Sequence, residues 1–299
     1  MEETRDEFPC FGGRVTVVAT DGAPVAKVRA RLEQWHHQLT RFDPTSELSL
    51  LNAHPGERVR VSAIMACFVG AAIDAAHRTD GLVDPTLLPE IEAAGYNGDL
   101  AGEPLPLPLP LVRTPSPRPA RPHPARRWLD LDLDPMTRTV TRPPGVKLDS
   151  GGVAKGVFAD LAAELLSDAG SYAVNCGGDI RIGGRDAVDR PVLVDDPFGR
   201  GAPLHEFALA AGGVATSGIG RRSWVGPDGL PAHHLLDPST GRPAHTGVVQ
   251  ATALAPTATD AEVRAKAALL TGGEGAREWL RYGGVLVFDD GSHMVVERP

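Results

Sequence analysis

A carboxylate, three glycines and an amine fall close together in Lys147-Leu148-Asp149-Ser150-Gly151-Gly152-Val153-Ala154-Lys155-Gly156. The run reads as a strand end, a Gly-rich turn and a helix that continues over 157–166. Asp149 enters the turn and Lys155 leaves it. Gly151, Gly152 and Gly156 lack a Cβ, which lets a backbone approach a ligand closely. The free N–H groups and partial positive charge of the following helix N-terminus suit a phosphate. A cation at that end is opposed by the helix dipole, which argues for a ligand role of Lys155 over a merely exposed side chain. A second candidate is His234, ahead of the turn-forming run Asp237-Pro238-Ser239-Thr240-Gly241. An imidazole there can be neutral at physiological pH and act as a base, or it can simply cap the turn. Together these residues describe a site for a phosphorylated ligand.

The same turn resembles the signature of the FAD:protein FMN transferases, the ApbE family. Five other segments follow in the family's order. They are Phe42-Asp43-Pro44-Thr45-Ser46-Glu47-Leu48-Ser49-Leu50-Leu51-Asn52, Gly81-Leu82-Val83-Asp84-Pro85-Thr86, Val174-Asn175-Cys176-Gly177-Gly178-Asp179-Ile180, Thr216-Ser217-Gly218, and His234-Leu235-Leu236-Asp237-Pro238-Ser239-Thr240-Gly241. The resemblance covers about residues 30–290. It implies a layered, T-fold-like α+β architecture in one domain over 1–299. It implies FAD as substrate, magnesium, and an acceptor protein bearing a flavinylation-type Thr or Ser. It places Asp149 and Lys155 on FAD, Gly152 on the metal through its carbonyl, and His234 as the base. Leu39, Thr40 and Phe42 fall where relatives touch FAD, and Leu236 falls beside the isoalloxazine. Core packing is the competing reading for these four. Thr216, Ser217 and Gly218 could donate to flavin or phosphate. The implied reaction transfers FMN from FAD to a hydroxyl and releases AMP. Hydrolysis of FAD to FMN and AMP, or FAD binding without catalysis, are the alternatives.

One segment departs from the pattern. The family's Ala-Asp-Ala-x-x-Thr-Ala helix supplies an Asp and a Thr to magnesium. Here the register that keeps the closing Gly272 gives Ala261-Glu262-Val263-Arg264-Ala265-Lys266-Ala267. Glu262 stands for Asp and Lys266 for Thr. Sliding to Asp260 puts Arg264 at the partner position, so either register sets a cation where the family has a hydroxyl. A charged lysine cannot ligate a metal. Three readings stay open: magnesium held by Glu262, Gly152 and waters; Lys266 replacing the metal's charge; or flavin bound without transfer. An ordinary Glu262–Lys266 helix pair is the structural alternative.

Elements that must position these residues follow from periodicity. Residues 13–20 alternate and are Val-rich, a strand. Apolar residues at helical spacing predict an amphipathic helix over 25–41, whose His36 and His37 read as surface or packing residues. Ser62 caps an Ala-rich, buried helix to about 77. Residues 128–134 and 137–142 form a hairpin. Strands are expected at 172–176, 180–183, 190–194, 205–209, 213–217 and 248–254. A helix capped by Thr259 or Asp260 runs to 270, closed by Gly272, and a hairpin spans 284–297. Strands without regular βαβ alternation argue α+β rather than a doubly wound sheet. The Pro-rich stretch 102–127 reads as an extended, partly exposed linker, and Arg118, Arg121, Arg126 and Arg127 as its solvated charges.

Composition sets the bounds. The 299 residues are 42% hydrophobic and only 5% aromatic, so the core rests on Ala, Val and Leu. A net charge of −8 argues against a nucleic-acid surface. Cys10, Cys67 and Cys176 are too widely spaced for a disulfide framework or a zinc site, and Cys176 reads as a small core residue. The acidic start lacks the apolar stretch of a secretory signal, and no apolar run reaches the ~18–20 residues that span a bilayer. The expectation is a cytoplasmic protein.

Overall fold

Eight strands from both ends of the chain form one antiparallel sheet in the computed structural model, which describes residues 2–98, 116–186 and 188–298. They are β1 (Glu3–Cys10), β2 (Gly13–Thr20), β3 (Tyr172–Cys176), β4 (Asp179–Gly183), β5 (Gly212–Gly218), β6 (Val248–Ala255), β7 (Gly284–Phe288) and β8 (His293–Val296). Their spatial order is their chain order, each strand pairing antiparallel with the next. On β2 the alternation is literal, since Val15, Val17 and Ala19 are fully buried. β6 is buried along almost its whole length, as a strand covered on both faces must be.

The helices are α1 (Val25–Leu39), α2 (Glu47–Ala53), α3 (Ala63–Arg78), α4 (Leu88–Ala93), α5 (Ala154–Glu164) and α6 (Ala258–Thr271). α1 packs on β1, β2 and α5; α5 packs on β3, β4 and α6; α6 packs on β5 and β6. Glycine makes two of these approaches possible. A Cβ on Gly156 would lie 2.7 Å from Thr259 Cα, and one on Gly213 2.2 Å from the Thr257 carbonyl carbon. Gly156 therefore serves helix packing, not ligand approach. One core cluster joins α1, α3 and α5 to β2 and β3, and a second joins α6 to β5, β6 and β7.

The α+β expectation stands, with local corrections. α1 stops at Leu39, so Arg41 is released from the helix. α5 begins at Ala154, three residues early. α6 is capped by Thr257, whose Oγ1 accepts from Asp260 N at 3.1 Å, and Asp160 accepts from the N–H groups of Ala258 and Thr259. β1 was not foreseen. Its charged residues mask the alternation of buried Phe8 and Cys10 with exposed Pro9. α2 is also additional: Ser46 caps it, and Glu47 reaches Ser62 N at 2.6 Å.

The Pro-rich expectation divides. Its first part, 102–115, lies outside the described residues. From 116 onward the chain is fastened rather than free: Arg118 N donates to His245 O and Ala120 N to Leu270 O. Arg126 forks onto Asp80 at the surface and Arg127 pairs with Glu90, while Arg118 and Arg121 are exposed. Cys176 is a buried core residue, as expected, and all three cysteines are free. No described helix is long and apolar enough to cross a membrane.

Candidate active site

Two chain segments far apart in sequence are locked together to make the Gly-rich turn. The Asn52 side chain donates to Leu148 O (2.8 Å) and accepts from Leu148 N (2.7 Å). Ser150 Oγ donates to Leu39 O at 2.9 Å, and Asp149 N to Pro85 O at 2.8 Å. The turn is therefore held by the end of α1, the end of α2 and the loop before α4. Within it Asp149 caps its own turn, accepting from Gly151 N at 3.2 Å.

A cavity opens over this turn. Leu39, Thr40, Phe42, Asp149, Gly152, Lys155, His234, Leu236 and Lys266 all line it. Phe11, Arg41, Leu82, Asp84, Tyr96, Phe158 and Arg222 join them. One wall is aromatic. The Arg41 guanidinium lies 4.3 Å from the Phe42 ring centre and 4.6 Å from that of Tyr96, and Tyr96 stacks on Trp224 at 5.2 Å. Arg41 also donates to Tyr96 O (2.6 Å) and sits 3.5 Å from Asp149.

The cavity also meets a cluster of buried charge. Lys155 Nζ hydrogen-bonds Asp179 and lies 3.7 Å from Glu262. Burial opposes its charge, yet Asp179 and Glu262 outweigh burial and hold the ammonium above the ordinary lysine value. Glu262 is 2% exposed, and burial raises its pKa. It accepts from Gly156 N at 2.9 Å, so one helix N–H expected for phosphate is already taken. Lys266 Nζ donates to Gly152 O (2.5 Å) and Gly151 O (3.3 Å) and lies 3.7 Å from Glu262; burial lowers its pKa.

His234 stands between Arg222 and Lys266 charges on the cavity wall. Burial, then these cations, push its pKa well below the usual 6.5. Its Nδ1 lies 3.4 Å from Arg222 O. A carbonyl only accepts, so the neutral ring carries its proton on Nδ1 and keeps the Nε2 lone pair. Asp84 contributes a further feature. Oδ1 accepts from Thr86 N and Oγ1, while Oδ2 is buried with no partner among the described residues.

Not every expected residue reaches the cavity. Thr216, Ser217 and Gly218 do not line it. Thr216 Oγ1 is bonded across the sheet to Thr252 Oγ1 at 2.8 Å. Glu262 lies behind Lys155 and Lys266 rather than on the surface of the cavity. Conversely, Arg41, Tyr96 and Arg222 carried no sequence signal, because lone residues in loops acquire a role only through distant partners. Asp179 did carry one, the Gly-Gly-Asp turn, but not that it would neutralise Lys155.

The magnesium expected at Gly152, Glu262 and the 266 position can be tested on these residues. The carbonyls of Gly151 and Gly152 and the Glu262 carboxylate are hard oxygen donors that suit such an ion. The Lys266 ammonium, however, already sits against them. Among the described residues no group of three or more His, Cys, Asp or Glu is placed to hold a metal. The residues present do not fit magnesium.

A family model described as the ApbE family matches residues 11–288. The chain belongs to the ApbE family. A Rhodobacter capsulatus FAD:protein FMN transferase is 30% identical over 97% of this chain. The chain covers 56% of that relative, little more than half its length. A Salmonella typhimurium protein of the same name is 28% identical over 92% of this chain and 80% of its own. The crystal structure of the ApbE protein from Thermotoga maritima superposes with a TM-score of 0.80 at 27% identity, covering 99% of this chain and 97% of that one. The T-fold-like layering expected of the family is thus the one observed.

Proposed function

We propose that the chain binds FAD in this cavity and transfers its FMN half to a hydroxyl of an acceptor protein. The observation that carries this reading is the lining of the cavity: the Phe42 and Tyr96 rings under the Arg41 guanidinium, and the cations Lys155, Lys266 and Arg222. A flavin dinucleotide has matching halves, flat rings and a diphosphate. The relatives named as FAD:protein FMN transferases support the same substrate.

The acceptor Thr or Ser oxygen attacks the FMN-side phosphorus, and the bond from that phosphorus to the bridging oxygen breaks. AMP leaves with the electron pair, and FMN is joined to the acceptor through a phosphodiester. His234 takes the hydroxyl proton at Nε2, because its depressed pKa keeps that lone pair available. Lys155 and Arg222 stabilise charge on the phosphates. Asp149 orients Arg41 and shapes the turn.

The test incubates the purified chain with FAD and an acceptor domain carrying a flavinylation-type threonine. The reading predicts AMP release together with flavin fixed to the acceptor. AMP and free FMN without labelling would make the chain a pyrophosphatase. Intact bound FAD in every condition would leave a flavin carrier.

A further inference from the structure

The position of Lys266 has an electrostatic consequence. Lys266 is 8% exposed, its ammonium lies against the Gly152 and Gly151 carbonyls, and the residue lines the cavity. A buried ammonium is costly unless its donors and charge are matched. Two of its three N–H groups have those carbonyl acceptors, and the third has no hydrogen-bonded acceptor among the described residues. The charges nearby balance. Lys155, Lys266 and Arg222 supply three positive charges here, while Asp179 and Glu262 supply two negative ones. Asp149 is matched separately by Arg41. Asp84 also lines the cavity, its Oδ2 unpartnered among the described residues, and balances the third cation, so an anion here is met by the remaining N–H of Lys266 rather than by surplus charge.

We infer that Lys266 is the resident cation of this site: its ammonium bridges the Gly-rich turn and Glu262 to the FAD diphosphate, so that FAD binding needs no divalent ion. The inference rests on the proposed FAD reading and adds how its diphosphate is neutralised. Carbonyl oxygens and a carboxylate that would converge on a metal converge instead on Nζ, which carries its own charge on a stem anchored in α6. Because α6 packs against α5, the helix that bears Lys155, the two ammoniums are fixed relative to each other and to the turn. An ion drawn from solution would have to displace an ammonium held at 2.5 Å by Gly152 O.

Two measurements on the full chain test this. Free Mn²⁺, followed by its EPR signal, is titrated with protein alone. FAD is then titrated by flavin fluorescence in EDTA and in excess Mg²⁺. We expect no Mn²⁺ uptake and FAD affinities that agree within about 2-fold, well under the ~10-fold that corresponds to about 1.4 kcal/mol. Lys266→Met keeps the volume of the side chain and removes its charge. It leaves the Gly151 and Gly152 carbonyls without that donor, so its melting is measured alongside, and the folded variant should bind FAD ~10-fold or more weakly with or without Mg²⁺. Stoichiometric Mn²⁺ binding, FAD binding that collapses in EDTA, or a folded Lys266→Met protein with wild-type affinity would each overturn the inference. The wild-type comparison decides even if the variant does not fold. No FAD binding in any condition would instead remove the FAD reading, and the diphosphate role of Lys266 with it.

Discussion

At the scale of single residues, His234 is the sharpest case. Its imidazole is neutral because burial and two neighbouring cations oppose a second proton. A base with a depressed pKa stays deprotonated as pH falls through 6.5. The rate of AMP release should therefore show no loss centred near 6.5, and should decline only in more acid solution. An inflection near 6.5 that disappears in His234→Asn would contradict this. His234→Ala should lower kcat by roughly 10²–10⁴-fold, the usual worth of a positioned base, while FAD affinity changes little. If affinity falls in step with kcat, His234 is holding FAD and not moving a proton. The spacing to Asp237-Pro238 selects His234 of two adjacent histidines, and His234 is the one that lines the cavity. His233 points elsewhere, its Nε2 3.0 Å from Ala244 O.

Elements decide whether those side chains meet. Asn52 makes both hydrogen bonds to the Leu148 backbone, so it fastens the end of α2 to the entry of the Gly-rich turn. Asn52→Ala should cost about 1–3 kcal/mol, because a buried N–H and C=O lose their partner together. It should also weaken FAD binding, which a purely structural contact elsewhere would not. Equilibrium urea unfolding and a flavin titration on the same preparation separate the two effects. Between α5 and α6 the contact is closer still. Gly156→Ala would drive a methyl to within 2.7 Å of Thr259 Cα and 2.8 Å of Ala258 O. Backbone cannot yield there as a side chain would, so the helices must part, with a loss of about 1–3 kcal/mol. Their separation would also break the Gly156 N–Glu262 bond and shift Lys266 away from Gly152. An alanine variant as stable as wild type would show that the helices are not in such contact.

For the whole molecule the clearest expectation is acid sensitivity. His233 is buried, and burial lowers its pKa from 6.5 to about 4. The unfolded chain takes up a proton below 6.5 that the folded chain refuses until about pH 4. Stability from this group is therefore complete above 6.5 and is lost as pH falls from 6.5 to about 4, by on the order of 3 kcal/mol at most. His234 acts in the same direction. Urea unfolding of wild type and His233→Gln at pH 7 and pH 4.5 should show wild type losing more. Parallel losses would mean that His233 is not held neutral.

Local physics made much of this chain legible without coordinates. The Val alternation of 13–20, the Ser62 cap and Gly272 closure act within one turn of chain, and each lies where periodicity or capping put it. Asp149, Lys155 and His234 stand out on residue type and turn context, and all three line the cavity. What the sequence could not contain is distance between remote segments. Whether Lys266 is an exposed partner of Glu262 or a buried cation on Gly152 depends on the packing of α6 against α5 and the Gly-rich turn. The Arg41–Tyr96–Trp224 wall likewise draws on two loops and the short strand Ser223–Val225, and Thr216 spends its hydroxyl on Thr252 only because β5 and β6 are paired in that register. Electrostatic and hydrogen-bond energies depend on separation and burial, and only the tertiary structure sets both.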